Sequence, residues 1–234
     1  MSSQAYVGSE LELFAAAVNW KSYLARQLRP HFGDEVLEVG AGLGTTTAAL
    51  FDGRPRRWVC LEPDGQMVAQ LNARIESGEL PSVCQARGGI LADLPADQVF
   101  DTILYVDVLE HIEDDRAEME LAAQHLKPGG RLVVLAPAHN WLYTPFDKAI
   151  GHFRRYNKSM LAAAAPANLP RIRLRYLDSV GLLASLANRL LLQKSMPSPK
   201  QIWVWDRFMV RPSRWLDPLL FFSLGKSVLG VWQK

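Results

Sequence analysis

The stretch Val36-Leu37-Glu38-Val39-Gly40-Ala41-Gly42-Leu43-Gly44-Thr45 constrains this chain more than any other part of it. A short, mostly apolar run enters three glycines spaced G-x-G-x-G, with a carboxylate two places before the first. The pattern reads as a buried strand, a tight turn and the start of a helix. Glycine accepts positive φ and lets a ligand approach the bare main chain. The helix that follows offers unpaired N–H groups at its N-terminus. In an open parallel sheet, such a turn sits at the carboxyl edge of the strands, where nucleotides bind.

The dinucleotide fingerprint is G-x-G-x-x-G, with a helix N-terminus facing a pyrophosphate. Here the third glycine comes one residue early, at Gly44, and Glu38 would set a negative charge against the pyrophosphate. A cationic ligand suits the turn better. S-adenosylmethionine (SAM) carries an adenosine, no phosphate, a sulfonium and an ammonium. The run Glu38-Val39-Gly40-Ala41-Gly42-Leu43-Gly44 resembles motif I of the class I SAM-dependent methyltransferases.

Three further segments follow in the order that resemblance requires. Arg57-Trp58-Val59-Cys60-Leu61-Glu62 is an apolar run ending in an acid 22 residues after Gly40. An acid placed there can accept both ribose hydroxyls. Phe100 to Asp107 is a second buried strand, and it leads into Val108-Leu109-Glu110-His111-Ile112. That segment resembles the family's D-V-L-E-H-[IV] run beside the methionine part of SAM. Leu126-Lys127-Pro128-Gly129-Gly130 resembles its L-K-P-G-G turn into strand five. The resemblance implies a cofactor site built from Glu38, Gly40, Ala41, Gly42, Gly44 and Thr45, with Glu62 and Pro63 after strand two. Leu91, Asp107, Val108 and His111 complete it. At the adenine, either Asp93 or the Leu91 backbone makes the contact, and Asp93 as a simple helix cap is an equal alternative.

The fold class expected is α/β: a doubly wound, mostly parallel seven-stranded sheet of the class I, Rossmann-like kind. An N-terminal helix and a helical, aromatic cap inserted before the last strand are added to it. The expected division is a lid helix over 1–30, a SAM-binding domain over 31–178, a cap over 179–225 and the final strand over 226–234. The spacing of Leu11, Phe14, Val18 and then Tyr23 or Leu24 predicts a helix from Glu10 to Leu28. Tyr6, Trp20 and Tyr23 are lid candidates, with ordinary core packing the alternative for Trp20. Alternation over Arg171 to Tyr176 predicts strand six, with Ile172, Leu174 and Tyr176 on one face. Ser227 to Trp232 should be strand seven, antiparallel to the rest.

Composition bounds the rest. At 234 residues and 49% hydrophobic content, the chain can fill a sizeable core. No run of 18 apolar residues predicts a membrane span, and Met1-Ser2-Ser3-Gln4 does not open a signal peptide. Cys60 and Cys84 form no metal or disulfide framework, so a cytoplasmic setting without metal is expected. Residues 1–150 carry 12 basic and 21 acidic side chains, against 14 and 3 in residues 151–234. The basic residues are scattered and no nucleic-acid motif accompanies them, so small-molecule partners are expected. Homo-oligomers through the cap remain open, as does a membrane-surface helix where Arg189 and Lys194 flank Leu190-Leu191-Leu192.

Strand five should deliver Pro137 to Tyr143 above the cofactor, and Phe146 to Tyr156 follows. The latter resembles the D-x-x-x-G-H-[FY]-R-R-Y signature of one branch of the family. His152, Arg154 and Arg155 either grip a carboxylate or hold the loop through ion pairs to Asp147. Two reactions are open. In one, the SAM methyl goes to an acceptor, with His139 or His111 as general base. In the other, the SAM α-amine attacks its own γ-carbon, giving azetidine-2-carboxylate and methylthioadenosine. The resemblance of the loop, the signature and the cap to bacterial azetidine-2-carboxylate synthases favours ring closure. On that reading Tyr176 supplies an aromatic face to the sulfonium and Asn140 holds the amine. Trp141, Tyr143, Trp203 and Trp205 would close the chamber.

Overall fold

The computed structural model describes residues 14–187 and 198–234. The element order starts with α1 (Val18–Leu28), β1 (Glu35–Val39), α2 (Thr45–Leu50), β2 (Arg57–Glu62), α3 (Gly65–Glu76) and β3 (Cys84–Gly88). It continues with β4 (Phe100–Val106), α4 (Asp115–Gln124), β5 (Leu126–Pro137), α5 (Pro145–Ala149), α6 (Lys158–Ala164) and β6 (Arg171–Leu177). Helices α7 (Ser179–Ala187), α8 (Pro199–Val204) and α9 (Arg211–Leu219) precede β7 (Ser227–Gln233). A wider, π-type turn over Trp205–Val210 joins α8 to α9.

One sheet runs β3-β2-β1-β4-β5-β7-β6. Strands β1 to β5 pair in parallel, and β7 is antiparallel to both β5 and β6. The strand order reverses between β1 and β4, so a crevice opens beyond their carboxyl ends. Strands buried on both faces explain the near-continuous apolar runs read from β1, β2 and β4. Val36, Trp58, Cys60 and Leu104 belong to the core on one face, and Leu37, Val59, Leu61 and Ile103 to the core on the other. Both cysteines are buried free thiols.

Two expectations need correction. Ile172 is 43% exposed, while Leu174 and Tyr176 pack on the core. An irregularity between Arg171 and Arg173 shifts the register with β7 and breaks the alternation. The helix expected from Glu10 to Leu28 is interrupted at Ala16 and Ala17: Phe14 and Ala15 are helical, and a fresh helix starts at Val18, where its N-terminal N–H groups are capped from a distance. Ala17 has no side-chain oxygen to offer, and Asp206 supplies two. Its Oδ2 accepts from the Asn19 backbone at 3.1 Å, and its Oδ1 from Trp20 at 2.8 Å. The Tyr6 lid position, Leu11, Arg189, Lys194 and the Met196-Pro197 break lie outside the described residues. The apolar helix after β6 is described as far as Ala187.

The cap docks by the same device repeated. Asp217 is fully buried and accepts from Tyr23 Oη at 2.6 Å and from the backbone N–H groups of Asp178 and Ser179. Asp178 accepts from Trp205 Nε1 at 2.7 Å, Ser213 Oγ at 2.7 Å and Gly181 N–H at 3.0 Å. Three carboxylates thus satisfy the N-termini of α1 and α7 and tie both to the stretch from Trp205 to Asp217, which comprises the π-type turn and most of α9. Asp206→Ala strips the distant cap and removes the acceptor of three donors, the backbone N–H groups of Asn19 and Trp20 and the Asn19 side-chain amide. It should cost about 2 kcal/mol, read as a lower urea midpoint with unchanged slope.

Candidate functional site

A cavity of about 790 Å³ lies over the carboxyl edge of the sheet at the strand-order reversal. Its floor is the turn from Gly40 to Thr45, and Asp107, Glu110 and His111 form one wall. His152 and Arg155, from the segment after β5, line another part of it. Trp20, Lys21 and Leu24 of α1, with Trp205 and Lys226, roof it.

The turn is held by main-chain bonds. Gly40 and Ala41 N–H both donate to the Leu61 carbonyl, at 2.8 and 3.1 Å. Gly40 has φ +68°, and a Cβ there would lie 2.6 Å from Val108 Cγ2. Only glycine allows the segment after β4 to come this close. Gly44 does a different job: it faces Leu71 and Leu80, letting α2 close on its neighbours, and is not part of the cavity wall.

Two buried acids flank the turn. Glu62 accepts from Gly42 N–H at 2.8 Å and from Asp64 N–H at 3.0 Å, one bond to each oxygen. Burial raises its pKa. Each carboxylate oxygen keeps a further acceptor site, which two ribose hydroxyls can fill. Glu38 accepts from Thr47 Oγ1 at 2.6 Å and Trp58 Nε1 at 2.9 Å, both through Oε2. Burial pushes its pKa up to about 7, against those two hydrogen bonds. An open glycine turn, one acid for a sugar and another for a cation fit SAM.

Across the cavity, Asp107 holds φ +54° at the end of β4. Burial raises its pKa to about 6, although His152, Lys226 and Arg155 pull the other way. Neither carboxylate oxygen of the fully buried Glu110 has a hydrogen-bond partner. Burial and Asp107 raise its pKa well above the carboxylate range. His152 stands beside it, with Nε2 3.8 Å from Glu110 Oε1 and Nδ1 2.9 Å from Asp147 Oδ1. Burial lowers the His111 pKa to about 4, so its ring is neutral at pH 7. Glu110, His111 and His152 each bring a ligand atom within 4.8 Å of the others, a set that can hold a divalent cation. The sequence reading assigned no metal; the cluster joins segments forty residues apart and has no local spacing signal.

The GHFRRY segment holds the loop. Asp147 is fully buried and accepts from Arg155 Nε at 2.7 Å and Nη2 at 2.9 Å, from Thr144 and from His152. Burial alone would raise its pKa, but the His152 and Arg155 bonds overcome this and hold it well below the usual range. Arg154 reaches Asp115 at 2.8 Å, and Tyr156 Oη donates to the same carboxylate at 2.6 Å. His152 and Arg155 therefore hold the loop through Asp147, as in the second of the two alternatives, whereas Arg154 pairs with Asp115 instead.

The structure separates the expected site residues. Glu38, Gly40, Ala41, Gly42, Thr45, Asp107 and His111 line one cavity. Glu62 is bonded to its floor, and Val108 backs Gly40. Leu91 has its side chain in the core, and Pro63 is on the surface. Asp93 closes a local turn by accepting from Ile90 N–H at 2.9 Å. Tyr176 does not line the cavity: its hydroxyl accepts from Lys158 N–H, and its ring stacks on His139 at 4.7 Å. Asn140 is exposed, and its Oδ1 accepts from Arg155 N–H at 3.4 Å. His139 is pinned by the Gly225 carbonyl at 2.9 Å. Of the chamber aromatics, Trp205 lines the cavity, and Trp141, Tyr143 and Trp203 do not. Lys226 is the residue the sequence hid. Its Nζ lies 3.5 Å from the centre of the Trp205 ring, and burial lowers its pKa to about 8.

Comparison with known proteins bears on this architecture. Residues 37–132 match a methyltransferase domain model. The ubiquinone biosynthesis O-methyltransferase of Xylella fastidiosa is 38% identical over 114 residues, covering 48% of this chain and 45% of that protein. The demethylmenaquinone methyltransferase of Tropheryma whipplei is 30% identical over 147 residues, covering 58% and 56%. The chain thus spans about half the length of these relatives. Among solved structures, the geranyl diphosphate C-methyltransferase of Streptomyces coelicolor shares the fold at TM-score 0.64 and 15% identity, covering 91% of this chain and 75% of that one. The cyclase SpnF does so at TM-score 0.64 and 15% identity, covering 100% and 96%.

A cation bound beside Glu38 favours its ionised form. Since the free carboxyl titrates near 7, SAM binding should release protons below that pH, and affinity should rise as pH climbs through it. Calorimetry in buffers of different ionisation enthalpy measures this, and Glu38→Gln should flatten the profile. With the domain match over residues 37–132, the sequence relatives and the shared sheet topology taken together, the chain is similar to the class I SAM-dependent methyltransferases and shares their fold.

Proposed function

We propose that the protein transfers the methyl group of SAM to an oxygen or nitrogen of a small-molecule acceptor. The carrying observation is the continuity of the cavity from the glycine turn to His152, whose Nδ1 is held by the buried Asp147 at 2.9 Å. Bound SAM supplies the activated methyl; the chain supplies position and a proton acceptor. Gly40 to Thr45 seat the nucleoside, Glu62 holds the ribose and Glu38 faces the cation. Asp147, kept ionised, orients the imidazole so that Nε2 accepts the acceptor's proton. His111 and His139 are the poorer bases: burial lowers both, and His139 is fastened to Gly225 outside the cavity wall. The relatives named as methyltransferases support SAM use, and their similarity covers about half of this chain.

A second reading rests on Lys226. Its ammonium lies against Trp205 inside the cavity, and burial there lowers its pKa to about 8. The same surroundings would favour a neutral SAM α-amine and an aromatic face for the sulfonium, which ring closure to azetidine-2-carboxylate needs. Trp205 and Trp20 take the part that the sequence had given to Tyr176.

Incubation of the purified protein with SAM alone separates the two by mass spectrometry. Methyl transfer predicts unchanged SAM until a cell extract is added, then S-adenosylhomocysteine. Methylthioadenosine with a cyclic imino acid, formed without any acceptor, would replace the first reading by the second. For methyl transfer, His152→Asn should lower kcat by roughly 10²–10⁴-fold while SAM affinity by calorimetry stays within about two-fold, a change of ~0.4 kcal/mol.

A further inference from the structure

The outer side of the cap carries a concentration of exposed apolar side chains. Phe221 is 88% exposed, Trp215 79%, Leu219 73% and Phe208 60%. Trp203, Leu216 and Leu224 extend the patch. Contiguous apolar surface rimmed by charge marks an interaction site.

Charge on this segment has one sign. From Pro199 to Lys226 the acids are Asp206 and Asp217, and both are buried against α1 and α7. Solvent therefore meets Arg207, Arg211 and Arg214, none of which has an ion pair among the described residues. Arg211 is hydrogen-bonded to Asn19 at 3.1 Å. Arg26 of α1 adds its charge near Arg214.

Presentation of the patch is built in. Phe221 and Phe222 hold φ +51° and +53°, a left-handed backbone that bulky residues rarely adopt. The turn is fastened from three sides. Phe222 N–H donates to the Asp217 carbonyl at 2.7 Å, and the Phe222 carbonyl accepts from Tyr176 N–H and Lys158 Nζ, both at 3.0 Å. Arg175 covers the Phe222 ring at 4.1 Å. On this fixed backbone the Phe221 side chain is left exposed, two residues beyond the exposed Leu219.

We propose that this face docks the protein on an anionic phospholipid bilayer, lying on it without crossing it. Aromatic and leucine side chains enter the interface while arginines meet the headgroups. Among the described residues no helix is long and apolar enough to cross a membrane. A polyanion such as nucleic acid would use the arginines but leave the apolar patch in water. A symmetric pair of chains would set each arginine cluster against its copy. Gln201, Val204 and Trp205 of the same segment line the cavity, so docking would hold the site close to the bilayer.

The test is co-sedimentation of the full chain with vesicles of phosphatidylcholine alone and of equal parts phosphatidylcholine and phosphatidylglycerol. Binding to the mixed vesicles, a blue shift of tryptophan emission and release by high salt are expected. Arg207→Ala should weaken binding roughly five-fold, equivalent to the ~1 kcal/mol contributed by one basic residue near such a surface. Trp215→Gln with Phe221→Asn should abolish it while the thermal melt and SAM affinity hold; asparagine tolerates the left-handed backbone. Failure of the folded protein to bind mixed vesicles, or equal binding to both vesicle types, would overturn the proposal. So would light scattering that shows a dimer which the double variant dissociates.

Discussion

Every functional contact in this protein is referred to the turn between β1 and α2. Its geometry is fixed by the neighbouring strand: the Leu61 carbonyl takes the Gly40 and Ala41 N–H groups, and the Glu62 carboxylate takes that of Gly42. The turn therefore moves with β2, and the acid that can hold a sugar is already bonded to the floor of the cavity. A side chain at Gly40 would collide with Val108 and push the segment carrying Asp107, Glu110 and His111 away from the turn. Backbone freedom at one glycine thus sets the width of the crevice.

The other walls come from segments that are individually weak and jointly rigid. The loop after β5 has little regular structure, yet Asp147 gathers Thr144, His152 and Arg155 around one buried carboxylate. Charge-assisted bonds of this kind are stronger than neutral ones, and leaving any partner unmade would be costly. The cap follows the same logic with Asp178, Asp206 and Asp217. Acidic residues are rare in the last third of the chain, and the ones present are spent on helix N-termini inside the protein. The outer surface there is left basic and apolar.

Much of the sheet was legible in the sequence. Strands β1, β2, β4 and β5 are apolar runs because they are buried on both faces, and the turns that follow them carry Gly, Pro or an acid in readable places. The antiparallel β7 was expected and is present. Site residues next to those turns, such as Glu38, Gly42, Asp107 and His111, fell on one cavity because a parallel sheet delivers all its carboxyl ends to the same edge. Tyr176 and Asn140, expected over the same edge, are not among the residues that line this cavity. Strand β6 ends at the same edge, but the side chain of Tyr176, one residue before its end, is engaged by His139 and Lys158.

The sequence by itself determined the fold, the glycine turn and the acids around it, since periodicity, chirality and local backbone sterics act within a few residues. Only the tertiary structure decided which aromatic rings line the cavity, that Lys226 lies against Trp205, and that Glu110 is buried without a hydrogen-bond partner. Those facts depend on burial and on contacts between segments tens to hundreds of residues apart. Desolvation and electrostatics at such places are properties of the assembled environment, and no local pattern encodes them.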